Sequence, residues 1–541
     1  MRGATAARLL VAAGFVGVFA LVMAGEYLVF RRGLGALRGL GLPGLALSLY
    51  FLESVLVLIF LVSLVSYVAS GLWIFYRAAD TGFLLAAPLP LPGLFALRAV
   101  QTFLLTSWPL AIVGGPALAA LGVAHGGDAV FYAAGLLHLA LFAVLVGATG
   151  ACLTAVAGSA LRRAPTRLAV GAVTAALLAV FAVVIGRGVI PSATDFHTIF
   201  EPGILNGKPS SLKFIEAKFA LWPTHPYAAA LHAAATGSRA GSSASRAAAG
   251  LLPLLGLAAA GTLALALYRR ALPAIAESFV LSGGGAGGTA SGRRARFPRW
   301  LAGPLGALVE RDVLALVRNP HEWSRAAFLG FLLVLYTSFL FVAPLGEVAD
   351  RPAAVARLLL LNVLAAGYFL TAFGLRFVFP STSLEGRAAW VLFSSPVSLR
   401  RLFLAKLGVY TGLLAVAVLP IALAGTFRLT GDPRLLAATA TLLLLLVLTT
   451  ATLLLALGAA WPNFREPNPE SLSTSGSGLA GTLACLGYVA VVGWCARGAA
   501  LAVATGSTVT PWVLLAGVVS AGLVAAALVL AAWRLRTLEV V

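Results

Sequence analysis

Few residues of this sequence have the types and spacing that metal binding or catalysis requires. None of the six histidines has a second histidine, a cysteine or a carboxylate at the spacing of a metal site. These histidines are His125, His138, His197, His225, His232 and His321. The three cysteines show neither metal nor disulfide spacing, and no Gly-x-Ser-x-Gly elbow or paired-carboxylate motif occurs. We therefore expect no catalytic residue, no bound cofactor and no metal site in this chain.

Two glycine-containing stretches could be mistaken for loops that bind nucleotide phosphates. Ser282–Gly292 is rich in glycine, but it lacks the Gly-Lys-Ser/Thr sequence and a flanking strand pattern. Gly207 and Lys208 are followed by Pro209, where such a loop needs a serine or threonine. We therefore expect the chain not to hydrolyse ATP through a phosphate loop of its own.

Carboxylates inside the apolar part of the sequence are nearly missing. Glu53 lies within a long apolar run, and Glu26 lies near the end of another. Ion-coupled transporters need buried relays of ionisable side chains, and two carboxylates are few for such a relay. We therefore interpret Glu53 as a partnered or snorkelling side chain. A membrane enzyme would need polar groups outside the apolar runs, and Glu201, Glu216 and His225 form no known catalytic pattern.

The composition predicts a polytopic membrane protein built from α-helices. Of the 541 residues, 60% are hydrophobic and only 10% are charged, with a mean hydropathy of +0.99. Runs of 18 or more apolar residues recur, and each is long enough to cross a bilayer as a helix. The net charge of +20 suits loop arginines that set topology and meet anionic lipid, so we expect membrane lipid and not nucleic acid as its partner. The twelve predicted spans lie near 8–30, 45–76, 99–122, 129–157, 167–190, 248–268, 326–345, 354–378, 407–427, 435–460, 479–497 and 509–533.

The spans form two predicted halves of six helices each. The first half covers residues 1–281 and contains an external cap segment at 191–247. A Gly/Arg-rich linker at 282–300 separates it from the second half, at 301–541, which opens with an amphipathic elbow helix carrying the charged residues Glu310, Arg311 and Arg318. The lysines and arginines of the short loops are in excess on the side of the two termini, which predicts that both termini are cytoplasmic.

A short amphipathic stretch occurs once in each half, between two apolar runs. Residues 88–98 and residues 396–406 align without a gap, and each places Leu, Leu and Phe at i, i+3 and i+4 with a cation at i+7. This spacing is typical of a helix that lies at a membrane surface. The stretch either covers the inner end of its own bundle or docks on a partner, and its duplication favours docking. A bundle with docking helices and no energy-coupling groups indicates a motor outside the chain.

Three stretches carry a resemblance to a known family. The segment 381–406 resembles the membrane permeases of type-2 ABC exporters, in particular large bacterial members with two fused six-helix halves. The segment 76–88 is similar to the matching motif of the first half, with Asp80 in the acidic position. The charged run 310–312 followed by 318–320 resembles the connecting helix of such permeases.

This resemblance implies that the two amphipathic stretches are coupling helices that dock on an ATPase subunit. In the first half it implicates Asp80, Pro88, Leu91, Leu94, Phe95 and Arg98. In the second half it implicates Glu385, Arg387, Pro396, Leu399, Leu402, Phe403 and Lys406.

The function that the resemblance implies is that of a permease subunit in the bacterial inner membrane. It would move an unidentified substrate outward with a separate ABC ATPase, on which ATP and Mg would be bound, and would be no enzyme itself. Two alternatives stay open at this point. One is an ion-coupled secondary transporter, and the other is a membrane enzyme that acts on lipid-linked substrates.

Overall fold

The computed structural model describes helices along most of the chain. The described residues are 2–76, 78, 80–86, 89–161, 210–236, 243–272, 304–318, 329–338, 340, 351–389, 398–464 and 472–537. The first nine helices are α1 (Arg2–Arg38), α2 (Leu42–Tyr76), α3 (Thr81–Ala86), α4 (Leu91–Thr106), α5 (Gly115–His125), α6 (Ala129–Leu161), α7 (Ser210–Phe219), α8 (His225–Thr236) and α9 (Ser243–Ala259). The further helices are α10 (Pro304–Arg318), α11 (Pro352–Phe373), α12 (Leu399–Leu429), α13 (Pro433–Ala460), α14 (Gly476–Ala504) and α15 (Thr510–Thr537).

The prediction of a helical protein with membrane-length helices is confirmed. Within the described ranges no strand occurs, and eight helices are long and apolar enough to cross a membrane. A ninth span results if the helices of the bent pair 91–106 and 110–125 are counted together. The twelve-span layout in two repeats is not confirmed: α1 is not among the eight, the helix at 329–338 is shorter than a span, and the predicted span 167–190 lies outside the described residues.

Chain contacts divide the protein into two compact units. We call residues 18–293 the first unit, and residues 1–17 together with 294–541 the second unit. The Gly/Arg-rich linker predicted at 282–300 lies outside the described residues, as do residues 191–209 and 237–242 of the predicted cap segment.

Local sequence signals explain where several of these helices begin and end. Asp432 caps α13, because its carboxylate accepts hydrogen bonds from the backbone N–H groups of Arg434 at 2.7 Å and Leu435 at 3.4 Å. The hydroxyl of Ser475 caps α14 in the same way through the N–H of Gly478, at 3.3 Å. Helix α5 ends at Gly126, whose φ of 74° is a left-handed conformation that a side chain would disfavour.

The first unit is organised around α2. This helix packs against α4 and α6 and also contacts α7 and α8, while α6 packs against α9. A cluster of aromatic side chains fills the space between α2, α4 and the continuation of α9 as far as Leu272; its members are Tyr67, Phe75, Tyr76, Phe95 and Tyr268. Burying such large side chains contributes strongly to stability at this end of the unit.

The second unit is organised around α13, which packs against α12, α14 and α15. In α13 78% of the most apolar window is buried, whereas in α15 the share is 17%. Helix α13 is therefore the interior helix of the unit, and α15 presents an apolar outer face that suits contact with lipid. Helix α11 packs against α14, and α10 packs against α12.

A close approach of two backbones in the second unit requires a glycine at position 458. A Cβ atom added there would lie 2.1 Å from the carbonyl oxygen of Phe379, which belongs to the backbone and cannot rotate away. We expect Gly458→Ala to lower the free energy of unfolding by about 1–3 kcal/mol, the usual cost of overpacking. Gly487→Ala is the matched control, because no heavy atom lies within 4 Å of the added Cβ in the neighbouring helix α14. Thermal unfolding in detergent should show a lowered midpoint for Gly458→Ala only, and equal midpoints would contradict the close approach.

Candidate functional site: two charge-anchored segments

The first amphipathic stretch is anchored by a buried arginine. The guanidinium of Arg98 donates from Nη2 to Asp80 Oδ1 at 2.7 Å and to Thr81 Oγ1 at 3.3 Å, and from Nη1 to Gln101 Oε1 at 3.0 Å. Only 3% of the Arg98 side chain is exposed, against 53% for Asp80. The hydrogen bond from Arg98 lowers the pKa of Asp80 below its ordinary value, although partial burial opposes this. The ion pair therefore ties the start of α3 to α4.

The apolar residues of the same stretch divide between the bundle and the outside. Leu94 and Phe95 are buried, and the ring of Phe95 lies 5.5 Å from the rings of both Phe75 and Tyr268. Leu91 is partly buried against the same cluster. Leu97 of the same stretch is 44% exposed, and Phe83 on the preceding helix α3 is 77% exposed.

The second amphipathic stretch is anchored by a network of four charged side chains. Lys406 Nζ lies 2.8 Å from Glu385 Oε1 and 3.2 Å from Asp312 Oδ2, and it also donates to the carbonyl oxygen of Ser381 at 3.4 Å. Arg311 holds the same two carboxylates: its contacts to both oxygens of Glu385 are 2.6 and 3.1 Å, and its contact to Asp312 Oδ1 is 2.6 Å. Two cations and two anions thus alternate, which satisfies groups that would be costly to bury singly.

The position of Glu385 in this network depends on the residue that follows it. Gly386 has a φ of 55°, so the chain turns sharply directly after the carboxylate that both cations bind. Glycine adopts this left-handed conformation without steric cost, whereas a side chain at position 386 would be strained. The glycine of the Glu-Gly-Arg sequence is therefore explained by the backbone turn that it allows.

The remaining residues predicted for docking take varied positions. Leu399, Leu402 and Phe403 are half-buried on α12, and Glu310 is half-buried on α10. Pro88 and Pro396 lie outside the described residues, and the side chains of Arg387 and Arg318 are outside the described part as well. The exposed face of α12 next to the anchor carries Arg400, Arg401 and Leu404.

The two anchors share one arrangement. In each unit, the cation at i+7 of the amphipathic stretch is buried and binds a carboxylate from the segment before the stretch. Reasoning from the sequence missed Asp312, Thr81 and Gln101 as members of these anchors. Asp312 could have been found from its place beside Arg311 in an alternating charged run, but nothing local signals Thr81 or Gln101.

The anchors are ion pairs that join neighbouring segments within each unit. Their ion pairs fix the amphipathic helices to neighbouring segments, so displacement of one helix end moves the others. Across the described residues, no group of three or more His, Cys, Asp or Glu side chains could hold a metal ion. Of the polar residues considered for a membrane enzyme, His225 and Glu216 lie on or beside helices packed against α2, and Glu201 lies outside the described residues.

Comparison with known proteins gives one match. A family model with the description "Putative ATP-binding cassette" matches residues 4–538. No curated protein and no solved structure matches the chain.

This match overturns two predictions made from the resemblance. The identification as an exporter's permease served by a separate ATPase is contradicted, because the matching family is described as an ATP-binding cassette. The expectation that ATP and Mg bind only to a partner is contradicted by the same finding. That expectation rested on the missing Gly-x-x-x-x-Gly-Lys-Ser/Thr loop, and the lack of one motif excludes only one way of holding phosphates. The family description supports neither the secondary transporter nor the lipid-modifying enzyme.

The match also agrees with the coarser features of the molecule. It extends over all eight of the membrane-length helices and over both charge-anchored segments. Since residues 4–538 are nearly the whole sequence, the chain belongs to the family that this model describes, an ATP-binding cassette family.

Proposed function

We propose that this chain is a membrane-spanning component of an ATP-binding-cassette transport assembly. The observation that carries the proposal is that a single ATP-binding cassette family model covers residues 4–538, a range that includes eight helices of membrane length. In this proposal the chain itself binds ATP, as its family description indicates, and changes in nucleotide state move its membrane-length helices. That the chain contributes no catalytic residue of its own stays a prediction.

The amphipathic stretches are the proposed contact with the other components of the assembly. Their outer faces carry exposed apolar and basic side chains, namely Leu97, Arg401 and Leu404. Their inner faces are held by the Arg98 and Lys406 ion pairs. A partner that displaces the outer face of α4 or α12 would therefore also displace the segment that is ion-paired to that helix.

The proposal also includes the membrane in which the protein lies, the side of its termini and the grouping of its spans. We place the protein in the bacterial inner membrane with both termini cytoplasmic, because the lysines and arginines of the short loops are in excess on that side. We further propose that the described spans belong to two six-helix halves, with both amphipathic stretches on the cytoplasmic face. Membrane lipid then surrounds apolar outer faces such as that of α15.

Nucleotide should change the accessibility of the amphipathic stretches. We expect Leu97→Cys and Leu404→Cys, each in a background with Cys152, Cys485 and Cys495 replaced by alanine, to react several-fold more slowly with a membrane-permeant maleimide when Mg-ATP is present. The reason is that closure of the assembly would cover the outer faces of α4 and α12. Labelling is measured in native membrane vesicles with Mg-AMP as the reference nucleotide.

The control for this experiment is Ser507→Cys, which is exposed in the turn between α14 and α15. Its labelling rate should not depend on nucleotide. Rates that are equal with Mg-ATP and Mg-AMP at both Leu97→Cys and Leu404→Cys would refute the proposal.

A further inference from the structure

Three polar contacts fasten the helices α7 and α8 to the membrane-length helix α2. Lys218 Nζ donates to the hydroxyl of Tyr50 at 2.8 Å, His225 Nδ1 lies 2.5 Å from Glu53 Oε1, and His232 Nε2 lies 2.9 Å from the Ser48 hydroxyl. The Tyr50 and Phe219 rings also meet edge to face, with centroids 5.3 Å apart. All of these residues belong to the first unit.

The contact between Glu53 and His225 differs from the other two because it pairs a carboxyl group with an imidazole. Glu53 is fully buried, with 0% of its side chain exposed, whereas 19% of the His225 side chain is exposed. The second oxygen of Glu53, Oε2, has no hydrogen-bond partner among the described residues. A buried carboxylate in an apolar helix is costly unless it is paired or protonated, so this pair is least costly when it carries one proton and no net charge.

We propose that Glu53 and His225 form a proton-binding site whose occupancy decides whether α7 and α8 stay fastened to α2. With one proton the pair is neutral and the contact is closed. Loss of that proton leaves a buried negative charge beside an uncharged imidazole, which favours separation and access of water. The ligand of this site is a proton, which requires no cavity.

The surroundings of the two histidines shift their pKa values in opposite directions. The hydrogen bond to Glu53 raises the pKa of His225 above its ordinary value, and partial burial opposes that effect. Burial, with a smaller contribution from His125, lowers the pKa of His232 to about 4, so its contact with Ser48 stays uncharged at neutral and alkaline pH. Other titratable or charged groups on elements packed around the pair include Tyr50, Tyr67 and Tyr76 on α2, His125 on α5, Tyr132, His138 and Cys152 on α6, Glu216 and Lys218 on α7, and Tyr227 on α8.

The direction of the pH dependence follows from the raised pKa of His225. A group whose pKa is higher in the closed state stabilises that state fully below its ordinary pKa and loses this contribution as pH rises through the raised value. The fastening of α7 and α8 should therefore weaken from neutral to alkaline pH. Between the ordinary and the raised pKa, the equilibrium constant for opening should rise by up to about tenfold per pH unit.

Hydrogen–deuterium exchange of the full-length protein in detergent tests this proposal. Exchange of peptides within residues 210–236 is followed from pH 6 to pH 9.5 and corrected for the chemical exchange rate at each pH. In the unmodified protein the corrected rate should rise with pH over this range. In His225→Gln and Glu53→Gln, which keep a polar side chain but cannot share the proton, the corrected rate should not depend on pH.

The matched control is His232→Gln, which alters the neighbouring contact of the same helix and should keep the pH dependence of the unmodified protein. A pH-independent rate in the unmodified protein would overturn the proposal, as would a pH dependence that survives in both His225→Gln and Glu53→Gln. If Glu53→Gln does not elute as a single species, His225→Asn takes its place, because His225 is partly exposed and its replacement perturbs packing less. The measurement does not involve ATP, so its outcome is independent of the proposed transport function.

Discussion

Replacing Lys406 by methionine is expected to lower the free energy of unfolding by about 3–5 kcal/mol, the usual cost of removing one partner of a buried ion pair. The ammonium group of Lys406 contacts Glu385 at 2.8 Å and Asp312 at 3.2 Å, and all three side chains are largely buried. Methionine fills a similar volume without the charge, so two carboxylates would share Arg311 as their remaining cation. Thermal unfolding in detergent, followed by tryptophan fluorescence, measures the effect.

Two further variants distinguish loss of the ion-pair network from a general destabilising effect of substitutions in α12. Arg400→Ala removes an exposed cation of the same helix, so its effect should stay within about 0.5 kcal/mol. Glu385→Gln should destabilise when introduced alone, but adding it to Lys406→Met should cost much less than the sum of the two single changes, because both remove the same interaction. Additive effects, or a Lys406→Met protein as stable as the unmodified one, would show that the network does not form.

The second large effect is expected at Phe95, where alanine should lower the free energy of unfolding by about 3–5 kcal/mol, as for other buried aromatic side chains. The Phe95 ring packs against Phe75 and Tyr268 at centroid distances of 5.5 Å, and Phe75 and Tyr268 lie 5.8 Å apart. Alanine would leave a cavity inside the aromatic cluster to which α2 and α4 both contribute. Thermal unfolding of the purified variant provides the measurement.

Leu97→Ala is the matched control for Phe95→Ala, because Leu97 lies two residues further along α4 and is 44% exposed. Its effect on stability should be small, within about 0.5 kcal/mol. Phe403→Ala, at the corresponding position of the second unit, should lie between these two variants because Phe403 is half-buried. If Phe95→Ala unfolds at the same temperature as the unmodified protein, the aromatic cluster is not the packing unit described here.

The comparison of these two residues also bears on docking. The alignment of 88–98 with 396–406 treats Phe95 and Phe403 as equivalent anchors for a partner. In the folded chain, however, Phe95 is buried against its own bundle and Phe403 is only half-buried. The exposed Leu97 and Leu404 are therefore the better positions at which to look for a contact with another component.

The class of the protein could be predicted from the sequence because it depends on local composition. Long apolar runs specify membrane-length helices wherever they occur, since the backbone in a bilayer must satisfy its own hydrogen bonds. Helix starts such as Asp432 and Ser475 are equally local, because a capping side chain reaches only the next few backbone N–H groups. The spacing of Leu, Leu and Phe likewise indicated an amphipathic stretch at the start of α4 and of α12.

The packing partners of each helix face could not be predicted from local composition. Periodicity shows that a face is apolar or charged, but the surface that covers it comes from residues distant in the chain. Glu53 and its partner His225 are 172 residues apart, and Lys406 and Asp312 are 94 residues apart. The sequence by itself therefore determined that the chain is helical, that many of its helices are of membrane length, and that two amphipathic stretches begin α4 and α12. Only the tertiary structure decided that the two repeat cations and Glu53 are buried in ion pairs, because the low-dielectric interior in which such pairs form exists only after the chain has packed.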